Sequence, residues 1–375
     1  MKIAYIINSL EGGGAASPVP ALTQVMREYG AQVKVFALSR RDGRALAAME
    51  ADGLSVSCLD APENEHLRAL RWLIREVRAF GATHLWTSLT RATLLGQLAG
   101  RWLGLPVTSW QHNAYLKPAN LRLLRLTSGL SALWVGDSRL VTDLTRERLG
   151  IAPDRLYCWP IFRADPSAPL AAPWRPGETI RIGSLGRLHP AKGYDMVIAA
   201  LRLLRDEGFD PPAPFHITIA GEGAERETLI RQATDAGVAD LISFPGFTAS
   251  ARDWLASLHL YCQPSRREGL CIALHEAMQA GLPVIASRVG EMPHTVLEPD
   301  CGLLVDPENE RQLADALARL LGGPERLFAI GCNGRARVLD LFGEARFEAA
   351  GRAILDRMTA HRHPSQARQS ARMLK

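Results

Sequence analysis

Hydrophobic positions along the chain follow two rhythms that alternate nearly from end to end. A near-continuous apolar run at 2–7 and short segments at 33–38, 83–88, 107–110, 132–135 and 154–159 read as strands of a parallel sheet. Between them, apolar residues recur at helical spacing, as in the stretches to Tyr29, 93–103 and 138–149, the last opening on Ser138 as N-cap. Strands recur at 180–185, 215–220, 242–247, 260–263, 283–286 and 302–305, with helices at 226–236, 253–258, 312–321, 325–341 and 344–360. Strand–helix alternation of this kind predicts parallel sheets with helices on both faces. Between the two series, residues 164–177 carry Pro166, Pro169, Pro173 and Pro176, which disfavour helix and sheet alike and mark a linker. The expected organisation is a first domain at 1–163, a linker at 164–178, a second domain at 179–343, a final helix at 344–360 and a disordered tail at 361–375.

At 375 residues, two domains are the natural expectation, and 47% hydrophobic with 22% charged residues supplies two ordinary cores. A formal charge of +5 admits anionic partners. No nucleic-acid-binding motif or dense basic tract occurs, so nucleic acid is not an expected partner. Six cysteines without a CxxC pair or metal-ligand spacing fit a reduced, cytoplasmic protein. The opening apolar run is too short for a signal peptide, and no segment reads as a membrane span. Two segments combine apolar periodicity with arginines, 67–80 and 121–133. For the first, a buried face with solvated arginines stands beside a basic helix resting on anionic lipid, which leaves peripheral contact at the inner face of the cell membrane open.

The chemistry concentrates in the second half. Residues 265–287 run from polar loop through an apolar helix to a stop at Gly281 and a buried strand. Glu268 and Glu276 stand eight positions apart, up to about 12 Å along a helix, a span suited to an extended ligand with hydroxyls at each end. A diphosphate lying across residues 268–271 would meet helix N-terminal N–H groups, with Gly269 permitting close approach. Upstream, the strand 180–185 opens into Gly186-Arg187-Leu188-His189-Pro190-Ala191-Lys192-Gly193, a tight loop whose Arg187 and Lys192 can converge on one anion. With five lysines against 39 arginines, Lys192 runs against the composition. In the first half His112 follows a strand's C-terminal end, where open α/β sheets bind ligands. The turn at Gly12-Gly13-Gly14 is not a full dinucleotide fingerprint, because Ser17 stands where Gly or Ala is required. Ser39-Arg40-Arg41 keeps an NADP phosphate site, and hence an NADP-dependent oxidoreductase, open as an alternative.

The run EGLCIALHEAMQAGLPVIAS, with the loop at 186–193, resembles the signature of retaining glycosyltransferases of family 4, clearly over 180–345 and more faintly over 1–165. That resemblance implies the GT-B architecture: two Rossmann-like parallel-sheet domains facing a central cleft, the C-terminal helix crossing back to the first. It implies that Glu268 faces the transferred sugar with His112, that Glu276 meets the ribose hydroxyls, that Arg187 and Lys192 hold the diphosphate and that Phe247 lies beside the nucleobase. Gly186, Gly269, Leu270 and Cys271 complete the implied donor site. The family usually has Phe and Gly at the last two positions, and Gly-Gly-Ala-Glu where this chain has Gly13-Gly14-Ala15-Ala16. Acceptor contacts fall to the first half by elimination, with Gly13, Gly14 and Ala15 as candidates.

The expected reaction is therefore metal-independent transfer of a hexosyl unit, with retention, from a UDP- or GDP-sugar to a hydroxyl. A saccharide or lipid-linked saccharide would be the acceptor, in polysaccharide or glycolipid assembly. No Asp-x-Asp occurs, and neither cofactor nor metal is expected. A non-catalytic sugar-nucleotide-binding subunit is a further alternative.

Overall fold

A computed structural model describes residues 1–112 and 115–360. The tail expected at 361–375 lies outside the described residues. The chain divides into two compact units, Met1–Arg163 with the residues from Ala345 onward, and Ala164–Glu344.

The first unit carries seven strands: β1 (Lys2–Ile7), β2 (Gln32–Ala37), β3 (Ser55–Cys58), β4 (His84–Ser88), β5 (Val107–Gln111), β6 (Leu133–Gly136) and β7 (Leu156–Cys158). All pair in parallel in the order β3-β2-β1-β4-β5-β6-β7. Its helices are α1 (Val19–Glu28), α2 (Arg44–Ala51), α3 (His66–Phe80), α4 (Thr90–Leu103), α5 (Pro118–Thr127) and α6 (Arg139–Leu149). In register, Ile7 stands beside Ser88, Ser88 beside Trp110 and Gln111 beside Gly136, so the polar residues after β4, β5 and β6 gather at one end of the sheet. The edge strand β3 had no sequence signal: Ser-Val-Ser-Cys is short, partly exposed and gives no apolar run. Helix α3 resolves the two readings of 67–80. Ala69, Leu73 and Val77 are buried, and Leu70, Trp72, Ile74 and Phe80 pack partly against the core, so this apolar face is spent on folding.

The last helix, α14 (Glu344–Ala360), closes this unit. Trp86, Trp110 and Trp159 are fully buried, with Trp110 and Trp159 stacked at 5.6 Å and Phe347 of α14 at 5.4 Å from Trp159. Tyr29 Oη donates to Asp356 Oδ1 at 2.6 Å, and His84 Nε2 lies 3.0 Å from the Met358 carbonyl.

The second unit carries β8 (Ile180–Leu185), β9 (Phe215–Ala220), β10 (Ile242–Gly246), β11 (Leu260–Gln263), β12 (Val284–Ser287) and β13 (Gly302–Val305), parallel in the order β10-β9-β8-β11-β12-β13. Its helices are α7 (Tyr194–Asp206), α8 (Arg226–Asp235), α9 (Ala251–Ala256), α10 (Ile272–Gln279), α11 (Met292–Thr295), α12 (Glu310–Leu321) and α13 (Leu327–Phe342). Residues 164–178 form neither helix nor strand, yet hydrogen bonds hold them to this unit: Ala164 N to the Phe342 carbonyl and Ala171 N to the Ala280 carbonyl, both 2.8 Å. Strands β8 and β11 are neighbours although β9 and β10 separate them in sequence. The order reverses there, and such a switch point leaves a crevice beyond the carboxyl ends of the two strands.

Candidate functional site

The loops that follow β8 and β11 meet at this switch point. After β8 comes Gly186, then Arg187, then the 3-10 turn Pro190–Lys192 and Gly193. Gly193 sits at φ +67°, and a Cβ there would stand 2.2 Å from the Pro264 carbonyl oxygen. Only glycine allows the two loops to approach this closely. Arg266 clamps them from the other side. Its guanidinium donates to both Asp195 oxygens at 2.7 and 2.6 Å and to the Pro190 carbonyl at 2.9 Å, while its N–H reaches the Ala191 carbonyl. Asp195 feels burial, which raises its pKa, and the Arg266 hydrogen bond and charge outweigh that and hold it below the usual carboxylate range.

This clamp sets Lys192 Nζ 2.7 Å from Glu268 Oε1. Ser265 Oγ donates to the same oxygen at 2.6 Å, and Gln263 Nε2 lies 3.5 Å away. A buried relay supports them: Tyr261 Oη donates to Gln263 Oε1 at 2.7 Å, and Gln263 Nε2 to Ser265 Oγ at 2.8 Å. Burial pulls the Lys192 ammonium toward neutrality, but the Glu268 charge overrides it and raises the pKa above the ordinary lysine value. Lys192 therefore remains a cation, with two of its three N–H donors free of Glu268. Beside the pair, burial and then the Glu268 charge push the Cys271 thiol up, so it stays protonated.

Beyond Glu268 the chain prepares a helix start. Cys271 is the N-cap of α10 at φ +65° and ψ 72°, a left-handed conformation rare outside glycine. His275 holds that turn, its Nδ1 2.9 Å from the Cys271 carbonyl and its Nε2 3.0 Å from Thr295 Oγ1. Because a carbonyl only accepts, Nδ1 carries the proton. Gly290, at φ +64°, lets its loop cross close by: a Cβ there would lie 2.4 Å from the Gly269 carbonyl and 3.0 Å from Glu268 Cβ. Among the described residues, the main-chain N–H groups of 269–273 are taken up by no other group. These donors point from a helix start beside a cation, an arrangement suited to an anion.

The structure thus joins Lys192 with Glu268 and does not join all four charged candidates. Arg187 is exposed and makes no ion pair or hydrogen bond among the described residues, while Lys192 is held by Glu268. Glu276 is half-buried and carries no side-chain partner among the described residues; burial raises its pKa and the charge of Arg252 opposes the rise. Gly186 neighbours the pair, its Cβ position 3.4 Å from Lys192 Cε. Gly269 is half-buried and Leu270 buried, while Phe247 is 58% exposed. Sequence reasoning passed over Gln263, Ser265, Arg266 and His275. Polar residues at the end of the buried strand β11 were the available signal for the first two.

In the first unit, His112 follows β5 with its side chain almost fully buried. Its Nε2 is 2.6 Å from Ser88 Oγ, its Nδ1 3.5 Å from Asp137 Oδ2, and its ring 4.9 Å from that of Trp110. Three neighbouring strand ends supply these groups, as the sheet register dictates. Gly13 and Gly14 are exposed and Ala15 half-buried in a turn where Gly13 O accepts from Ala16 N and Ser17 N. Arg41, weighed above as a phosphate ligand, is engaged by Glu11 and Glu63.

Residues 172–337 match the family model described as glycosyl transferases group 1. A GDP-mannose-dependent alpha-(1-6)-phosphatidylinositol monomannoside mannosyltransferase of Mycobacterium tuberculosis is 38% identical over 187 residues, 46% of this chain and 47% of the relative. The chain thus spans about half the length of that relative. A D-inositol 3-phosphate glycosyltransferase of Paenarthrobacter aurescens is 25% identical over 355 residues, 83% of this chain and 85% of the relative. Among solved structures, Anabaena Alr3699/HepE in complex with UDP and glucose superposes with a TM-score of 0.81 over 96% of this chain and 99% of that one, at 19% identity. Residues 172–337 are thus similar to the glycosyl transferases of group 1, and the two parallel sheets share the fold of the solved glycosyltransferase structures of GT-B architecture.

Proposed function

We propose that this chain transfers a glycosyl unit from a nucleotide diphosphate sugar to a hydroxyl acceptor, with retention at the anomeric carbon. The observation that carries the reading is the Lys192–Glu268 pair, 2.7 Å apart at the switch point of the second sheet, beside the unused N–H groups of 269–273. Breaking a glycosyl–phosphate bond builds negative charge on the leaving diphosphate and positive charge on the sugar ring. Lys192, Arg187 and the helix start would meet the first, and Glu268 would orient the ring. In this reading Glu276 accepts from the ribose hydroxyls and Phe247 flanks the base. The leaving phosphate takes the acceptor proton on the same face, and no metal is assigned.

The donor is a UDP- or GDP-sugar. The relatives named as GDP-mannose-dependent mannosyltransferases favour GDP-mannose. Relatives named for phosphatidylinositol monomannoside and inositol 3-phosphate support a polar, saccharide or lipid-linked acceptor. The test is turnover of GDP-mannose and UDP-glucose by purified protein, with product anomers read by NMR. Glu268→Gln and Lys192→Ala are each expected to lower turnover by about a hundredfold or more. Wild-type-like turnover in both variants, or an inverted product, would overturn the assignment.

A further inference from the structure

Ten large apolar side chains are exposed among the described residues, and five of them belong to two adjoining helices and the turn after them. Leu98 and Trp102 lie one turn apart on α4, at 46% and 73% exposure. Leu123 and Leu126 stand three positions apart on α5, at 47% and 83%, and Leu130 follows in the 3-10 turn Ser128–Leu130. Helix α4 packs against both α5 and that turn, so the five share one region of the first unit. The core does not use them: α5 contributes Leu124, fully buried, from its opposite side.

Along α4, α5 and the turn after them the charge has one sign. Between Glu76 and Asp137 the sequence contains no aspartate or glutamate, and Arg101, Arg122 and Arg125 are exposed beside the apolar residues. A tryptophan and leucines bordered by arginines, on elements that carry no acid of their own, match the boundary of an anionic bilayer, the acids of the packed helices being Glu76 on α3 and Asp143 and Glu147 on α6. A second copy of this chain fits poorly, because self-pairing would set these arginines against one another. No helix among the described residues is long and apolar enough to cross a membrane, so the fitting mode is lying on the surface.

We infer that the α4–α5 face is a docking surface for an anionic phospholipid bilayer, with Trp102 and Leu126 entering the acyl boundary and Arg122 and Arg125 meeting lipid phosphates. The α3 helix, basic and amphipathic by sequence, is not that surface, since its apolar side is buried or packed against the core except for Leu67. This inference stands apart from the donor site, whose test needs no membrane.

The experiment is co-sedimentation of the full chain with vesicles of equimolar phosphatidylglycerol and phosphatidylcholine, against pure phosphatidylcholine, at low and high salt. Binding is expected to favour the anionic vesicles by about tenfold or more and to weaken with salt. The pairs Trp102→Ser with Leu126→Ser, and Arg122→Gln with Arg125→Gln, are each expected to lower binding by about tenfold at an unchanged melting temperature. Leu67→Ser on α3 is expected to bind as wild type. Donor hydrolysis without vesicles should be unaltered in all of them. Absence of wild-type binding, equal binding to neutral vesicles, or undiminished binding by either pair would overturn the inference. So would a concentration-dependent dimer that the Trp102/Leu126 pair abolishes.

Discussion

Glu268 accepts from Lys192 and Ser265 on one oxygen, so the two available substitutions of the ion pair have different consequences. Glu268→Gln keeps a side chain that still accepts from both donors and removes only the charge. Lys192→Ala leaves a nearly buried carboxylate without its cation. The second variant should therefore lose roughly 2 kcal/mol of stability while the first stays within about 1, measurable as urea midpoints. A second prediction at this scale concerns pH. Burial pulls the fully buried His275 down to about 4, against roughly 6.5 in an unfolded chain. The folded value lies below the unfolded one, so this contribution is complete above about pH 6.5 and is lost as pH falls toward 4, up to roughly 3 kcal/mol. His259 is depressed to about 4 as well, through burial and then the Arg181 charge, and adds in the same direction. Melting temperatures between pH 7 and 4.5 should fall more gently for His275→Gln than for wild type; parallel curves would refute the account. Glu268 and Lys192, which the structure brings together, could be singled out in the sequence because each stands in a recognisable motif. His275 was not, since a histidine in an apolar helix reads the same whether it bonds a carbonyl or fills space.

At the level of elements, the loop geometry depends on Arg266. Arg266→Ala should release the loop bearing Lys192 from the loop bearing Glu268, raising the donor KM more than it lowers kcat. The stability cost should be only on the order of 1 kcal/mol, because Asp195 is partly solvent-screened. An unchanged KM would show that backbone bonds alone hold the loops. The seat of α14 gives a separate prediction. A Cβ on Gly351 would lie 2.5 Å from Trp159 Cζ2, so Gly351→Val should destabilise the first unit by about 2 kcal/mol or more through overpacking, visible by calorimetry. Periodicity revealed most strands and helices of both units. It missed β3, an edge strand without an apolar run, and it left α3 undecided between core and lipid, because an amphipathic pattern marks a buried face without naming what buries it.

For the molecule as a whole, two compact units predict two thermal transitions, of which a nucleotide sugar should raise one. At a hundredfold excess over Kd the ligand contributes about 2.7 kcal/mol to the unit that binds it. Gly351→Val should lower the other transition and leave the ligand-induced shift intact. A single transition shifted by both would mean that the units melt together.

The sequence by itself determined the alternation of strands and helices, the extended segment at 164–178 and the charged loops after β8 and β11. These are local properties, set by side-chain periodicity and by proline and glycine within a few residues. Tertiary structure alone decided that Lys192 meets Glu268 across 76 positions, that three tryptophans gather in the core that α14 closes, and that most of the α3 apolar face is buried while α4 and α5 leave Leu98, Trp102, Leu123 and Leu126 exposed. Strand order and helix placement create those contacts, and they follow from burying many faces at once, which no short window of sequence encodes.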